Sequence, residues 1–327
     1  MPDPAIEVHA LRKRFGDVVA LDGLDLTVAP ATVFGLLGPN GAGKTTAVRA
    51  LTTTLRPDSG SASVLGVDVC ADPAAVRARI GLAGQSAAVD ENLTGRENLR
   101  LVAQLTHVPR RVYRPRVDQL LERFDLSEAA DRPVRTYSGG MRRRLDVSAA
   151  LVHQPPVLFF DEPTTGLDPA SRMELWAVIE ELVAAGTTVL LTTQYLEEAD
   201  RLANRIAVVD HGRVIAEGTA AELKNRLGST VIEIGLADAD AATRACGVLG
   251  PFGVSCEHDD RAVYLAVEDA PHALVQALRR LDAEQLSPTA INVREPSLDD
   301  VFLTLTGHRA ESDGEQDPDA VRERGAA

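Results

Sequence analysis

The chain alternates short apolar runs with longer stretches whose apolar residues recur every three or four positions. Residues 33–37 and 157–160 are runs of the first kind, and 187–191 forms a third. Such runs read as strands buried on both faces, and the stretch 171–184 between the last two reads as an amphipathic helix. Apolar strands alternating with helices predict a mainly parallel sheet covered on both sides. Residues 6–11 and 18–28, the latter broken by Asp22-Gly23, follow the two-residue rhythm of antiparallel strands. Arg56-Pro57-Asp58-Ser59-Gly60 is a turn, followed by a short helix over 74–79 and a strand over 80–83 that runs into Gly84-Gln85. From about 86 to 154 the pattern is helical, with Leu99, Val102, Ala103 and Leu105, then Val117, Leu120, Leu121 and Phe124, on shared faces. Pro155-Pro156 ends it, because neither proline can donate a helix hydrogen bond.

Beyond residue 228 the elements shorten. A strand (231–236), a helix (241–249), a hairpin (254–257 with 262–267), a helix (272–281) and a strand (291–293) follow the split order of a ferredoxin-like fold. A last helix over 298–306 starts with Ser297 and Asp300 at capping-box spacing. From 308 onward the chain is polar and acidic, which predicts a disordered tail. The expected organisation is therefore a first domain over 1–227 with a helical insertion over 86–154, a small α+β domain over 228–307, and a tail over 308–327.

Composition narrows the class. A formal charge of −14 argues against a nucleic-acid partner, and no apolar run is long enough to span a bilayer. The start, Met1-Pro2-Asp3-Pro4, has no signal-peptide pattern, so a cytosolic or peripheral location is expected. The cysteines at 70, 246 and 256 have no paired framework, and buried free thiols are the expected state.

Gly38-Pro39-Asn40-Gly41-Ala42-Gly43-Lys44-Thr45-Thr46 follows the first apolar strand and fits G-x-x-x-x-G-K-[ST]. In a strand, loop and helix setting its backbone N–H groups curl around phosphate, and the helix dipole points into the same space. Lys44 is one of three lysines, with 13 and 224, and is placed to reach the outer phosphates of a nucleotide; Thr45 is placed to hold magnesium. Phe15, a lone aromatic in Arg12-Lys13-Arg14-Phe15-Gly16, either stacks on adenine or belongs to the core. The strand over 157–160 ends in Asp161-Glu162, where Asp161 suits magnesium and Glu162 suits a base that positions water. In Tyr137-Ser138-Gly139-Gly140-Met141-Arg142-Arg143-Arg144-Leu145, Ser138 is a helix cap and the glycines bare their N–H groups. Three arginines in the first turn oppose the helix dipole at about 0.3–1 kcal/mol each, which implies a functional anion there. The alternative is a solvated basic face, with Asp146 relieving Arg142.

In order, residues 38–46, Gln85, 137–141, 160–163, Gly166-Leu167-Asp168 and 192–200 resemble the phosphate loop, Q-loop, signature, magnesium and base strand, D-loop and switch of ABC transporter ATPase domains. The resemblance covers about 5–227 and implies a P-loop NTPase of ABC type, an α/β fold that binds ATP and Mg2+ and pairs head to tail. It further implies that Ser138, Gly139 and Gly140 meet the terminal phosphate across a homodimer interface and that Asp168 of the D-loop is a further nucleotide-binding residue. Gln85 is implied to touch magnesium or the attacking water and to relay occupancy to the insertion, which meets a membrane partner. The signature has Tyr137 where leucine is commoner, and the switch has Gln194 where histidine is usual. A glutamine amide can hydrogen-bond phosphate but gains no proton near neutrality.

Gln194, the following Tyr-Leu-Glu-Glu-Ala-Asp and Pro296-Ser297-Leu298-Asp299-Asp300-Val301-Phe302-Leu303 are similar to daunorubicin/doxorubicin resistance ATP-binding proteins. That likeness, extending to about 307, implies the ATPase subunit of a drug exporter, attached to the cytoplasmic face of the membrane beneath a polytopic permease that binds the transported compound. A lipid or other small-molecule exporter, and a weakly active ATP-binding regulator suggested by Gln194, are the competing readings. A soluble ABC ATPase working on nucleic acid would carry long heptads, a tandem ATPase domain or basic arms, none of which the sequence has.

Overall fold

The computed structural model describes residues 3–84, 89–226, 230–253, 255–258, 261–267, 269–294 and 297–306. Gln85, the 227/228 boundary and the tail over 308–327 lie outside them. Two compact units divide between Thr219 and Ala220.

In the first unit β1 (Ile6–Phe15) and β2 (Val18–Val28) pair antiparallel. β3 (Val33–Leu37), buried at every position, runs into the phosphate loop and then α1 (Lys44–Leu51). β4 (Ser59–Val64) and β5 (Val67–Asp68) complete an antiparallel sheet of order β2-β1-β4-β5. After α2 (Pro73–Arg77) comes β6 (Ile80–Ala83), and then the helical insertion. Its helices are α3 (Gly95–Leu105), held at its start by a Thr94–Glu97 capping box, α4 (Arg110–Arg123) and α5 (Gly139–Ala150). β7 (Val157–Asp161), α6 (Pro169–Ala184), β8 (Thr188–Thr193), α7 (Leu196–Leu202), β9 (Arg205–Asp210) and β10 (Arg213–Gly218) follow.

The second sheet has the order β10-β9-β3-β8-β7-β6 and is parallel except for β10. Its apolar strands feed two cores, one on each face. Leu158, Phe160, Val189 and Leu191 pack with the insertion and α6, whereas Phe34, Leu36, Phe159 and Leu190 pack with α1 and the antiparallel sheet. A strand buried on both sides carries no polar alternation, which is why these runs are continuous. The register sets Leu37 beside Thr193 and Asp161 beside Thr192. Chain segments leaving β3, β7, β8 and β6 therefore emerge at one edge of the sheet, the usual place for a ligand of such a fold.

The second unit begins with α8 (Ala220–Arg226), which the sequence pattern had assigned to the first domain and which packs with the terminal helix α11 (Leu298–Thr306). Between them lie β11 (Thr230–Gly235), α9 (Ala239–Leu249), β12 (Ser255–His258), β13 (Ala262–Val267), α10 (Ala270–Ala283) and β14 (Ala290–Arg294). The sheet is antiparallel throughout, in the order β12-β13-β11-β14. Each β-α-β crossover thus straddles a strand of the other, the interlocked arrangement of a ferredoxin-like fold. Ser297 and Asp300 form the expected reciprocal cap, with Ser297 N–H donating to Asp300 Oδ2 at 2.9 Å and Asp300 N–H to Ser297 Oγ at 3.2 Å. The cysteines are free, but Cys70 is exposed rather than buried, and the half-buried Cys246 and Cys256 thiols face each other at 2.7 Å.

Candidate functional site

Gly43, the residue before α1, has φ 107° and an added Cβ would meet Ala20 O at 2.4 Å, so the sharp entry into the helix requires glycine. No side chain caps α1, and its first N–H groups stay directed at the loop. Asn40 and Gly41 are exposed, Pro39, Thr45 and Thr46 half-buried, and Gly38, Ala42, Gly43 and Lys44 buried. Lys44 Nζ donates to Gly38 O at 2.6 Å and Pro39 O at 3.1 Å, and lies 3.9 Å from Glu162 Oε1. Thr45 Oγ1 donates to Asp161 Oδ1 at 3.2 Å. The same carboxylate oxygen accepts from Thr192 Oγ1 at 2.6 Å. Lys44, Thr45, Asp161 and Glu162, which stand far apart in the sequence, therefore meet at the sheet edge.

Glu162 has φ 52°, in the left-handed region. Its N–H donates to both the carbonyl and the hydroxyl of Thr192, each at 3.1 Å. Phe15, at the end of β1, is 48% exposed and shares a cleft of about 460 Å3 with Arg49, Leu82, Gly84 and Asp161. Gln194 is half-buried between β8 and α7. Thr192 was not singled out as a site residue; a threonine where an apolar strand ends beside a phosphate loop was the available signal.

The signature lies on the same unit. Ser138 and Gly139 are exposed and Gly140 half-buried, with Ser138 Oγ accepting from Met141 N–H at 3.2 Å. Gly139 and the D-loop residues Thr165, Gly166 and Leu167 line a cleft of about 530 Å3 together with Arg142, Arg143 and Glu162. Asp168 caps α6, accepting from Ser171 Oγ at 2.7 Å and Ser171 N–H at 3.0 Å, and these bonds hold its carboxyl below the usual range.

The three arginines at this helix start have partners within their own chain. Arg142 pairs with Glu91 at 3.0 Å and donates to Arg135 O, while Arg144 lies near Asp125 and Glu174. Arg143 turns inward, and Asp146 sits 3.5 Å from it. The cations that oppose the dipole are answered by carboxylates and carbonyls of the same chain. Tyr137, in the place of the commoner leucine, is also explained: its hydroxyl is buried and donates to Ala129 O at 2.6 Å, in space left by Gly95.

Behind the switch, Glu198 is fully buried and accepts from Trp176 Nε1 at 3.1 Å. Burial raises its carboxyl above the usual range, against opposing contributions from Thr193, Trp176, Thr164 and Arg172.

Comparison with known proteins gives the family. Residues 21–165 match the ABC transporter family, and 218–306 match the C-terminal domain of DrrA1-3-like ATP-binding proteins. The chain is 55% identical to the daunorubicin resistance ATP-binding protein DrrA3 of Streptomyces coeruleorubidus, over 94% of this chain and 97% of that one. It is 50% identical to the daunorubicin/doxorubicin resistance ATP-binding protein DrrA of Streptomyces peucetius, covering 95% and 94%. Against the Nod factor export ATP-binding protein I of Ralstonia nicotianae the identity is 40%, covering 93% and 94%. A solved ATP-binding subunit of an ABC transporter superposes with a TM-score of 0.64 at 28% identity, over 68% of this chain and 93% of that one. A dimeric ATP-binding cassette bound to ADP and Pi shares the fold, with a TM-score of 0.62 at 22% identity, over 65% and 98%. The chain belongs to the ATP-hydrolysing, ATP-binding subunits of ABC transporters, in the family of the daunorubicin/doxorubicin resistance ATP-binding proteins.

Proposed function

We propose that this ATPase drives a drug exporter, working as a head-to-tail homodimer beneath a separate membrane permease. The convergence of Lys44, Thr45, Asp161 and Glu162 at one sheet edge carries the reading, with the lysine ammonium 3.9 Å from the Glu162 carboxylate. Phe15 offers an exposed ring for adenine, and the loop from Gly38 to Thr46 wraps the phosphates. Lys44 exchanges its carbonyl partners for the outer phosphates.

Thr45 and Asp161 would hold magnesium, since a hydroxyl and a carboxylate oxygen 3.2 Å apart are the hard donors that this ion takes. When bound, it offsets negative charge on the phosphates. Glu162 orients the attacking water and accepts its proton. Gln194 donates an amide hydrogen bond to the terminal phosphate and carries no proton, and Gln85 contacts the water or the metal. In the paired state the exposed Ser138, Gly139 and Gly140 reach the phosphate held by the twin, with Asp168 at the seam.

ATP binding draws the twins together and hydrolysis releases them, a two-state equilibrium shifted by differential affinity. Leu101, Leu105 and Val112, exposed on α3 and α4, give the insertion an apolar face for the permease, which binds the transported compound. No helix among the described residues is long and apolar enough to cross a membrane, which fits a peripheral place on its cytoplasmic face. The Nod factor export relative keeps a different small-molecule cargo as the second reading.

Glu162→Gln should bind ATP, dimerise in its presence and hydrolyse little; adding Ser138→Arg should abolish the dimer. Hydrolysis by Glu162→Gln at the parent rate removes Glu162 as the base. Stimulation of the co-purified pair by anthracyclines, and not by lipid, separates the two cargo readings.

A further inference from the structure

Arg143 is the buried arginine of the signature helix, and its guanidinium spends its donors on backbone. Nε donates to Pro163 O at 2.7 Å, and Nη2 donates to Glu162 O at 2.9 Å and Asp161 O at 3.2 Å. Nη1 donates to Gly84 O, the last described residue before Gln85, and lies 3.5 Å from Asp146 Oδ2. The side chain is 9% exposed. Burying a cation near a helix N-terminus is unfavourable on two counts, desolvation and the dipole, and its contact with the Asp146 carboxylate is long. An unbranched apolar residue would fill the same space without either penalty.

What the arginine does instead is grip the turn that carries Glu162. A left-handed backbone at a non-glycine residue costs about 1–3 kcal/mol and persists only where its surroundings over-determine it. Thr192 fixes the N–H of Glu162, and Arg143 fixes its carbonyl together with those on either side. The planar five-donor fork spans these acceptors and the Gly84 carbonyl at once, which a lysine ammonium cannot do.

We propose that Arg143 is a positioning residue that ties the signature helix to the Glu162 turn and to Gly84 just past β6, so that displacement of α5 moves the Glu162 carboxylate. The inference rests on Glu162 as the base. It assigns to the signature helix a task within its own chain, besides any contact with a twin.

The test is a double-mutant cycle on the full-length protein, with ATP affinity from nucleotide binding and kcat from single-turnover phosphate release. Arg143→Gln should lower kcat by about tenfold to a hundredfold, as expected for a displaced catalytic group, while the ATP Kd shifts by less than about twofold. Arg143→Lys should recover part of the rate. In a Glu162→Gln background the same Arg143 change should alter the residual rate by less than about twofold, because the group it positions is gone. An equal loss in both backgrounds, or a kcat within about twofold of the parent, overturns the inference. Should Arg143→Gln fail to fold, Arg143→Lys is taken through the same cycle, where a loss of more than about twofold that vanishes in the Glu162→Gln background is expected and an equal loss in both, or none, overturns the inference. If Glu162→Gln alone keeps the parent rate, the base assignment fails, a result distinct from additivity in the cycle.

Discussion

Tyr137 and Gly95 form a coupled pair. A Cβ added at Gly95 would sit 2.4 Å from the Tyr137 hydroxyl oxygen and 3.3 Å from Cζ. The ring is 4% exposed and its hydroxyl is tied to Ala129 O at 2.6 Å, so it cannot swing aside. Gly95→Ala should therefore cost about 1–3 kcal/mol by overpacking, reduced by a fraction of the roughly 1 kcal/mol that alanine gains over glycine in a helix. Tyr137→Phe removes the clashing oxygen and one of two hydrogen bonds to the Ala129 carbonyl, which keeps the Arg132 N–H, at about 0.5–1.5 kcal/mol. If the hydroxyl is the shared cause, the double variant should be little worse than Tyr137→Phe alone, a coupling of about 1–2 kcal/mol. Trp176 is the sole tryptophan and is buried in the first unit, so denaturant unfolding followed by its fluorescence reports that unit. Costs that simply add would refute the argument.

Four further variants test other residues. Glu198→Gln removes a buried carboxyl whose titration is raised; the parent's stabilisation is complete below the ordinary carboxylate range and is lost as pH rises through the raised folded value, so the variant should melt higher than the parent near pH 8 and alike near pH 4. Ser297→Ala removes one half of a reciprocal cap and should cost about 1 kcal/mol, seen as roughly fivefold faster amide exchange through α11. Gln194→Ala should slow phosphate release, and an undiminished turnover removes it from the mechanism; Gln194→His should restore a pH dependence near the imidazole range, read from rate against pH.

The phosphate loop, the apolar strands and the order of the second unit were legible because each rests on local chemistry. Glycines where the chain turns sharply, continuous apolar runs where both faces are buried, and a serine and an aspartate three apart at a helix start are all written within a few residues. The arginines of the signature show where this stops. Side by side they are three cations at the wrong end of a dipole, and only packing reveals that Arg142 and Arg144 turn to carboxylates while Arg143 turns inward to the Glu162 turn.

By itself the sequence determined which residues can bind phosphate, hold a metal and move a proton, because those abilities belong to side-chain types and to short-range backbone geometry. The tertiary structure alone decided which of them meet. Lys44 and Glu162 stand 3.9 Å apart, and Asp161 shares one carboxylate oxygen between Thr45 and Thr192, because parallel strands distant in the chain are aligned in register by burial on both faces.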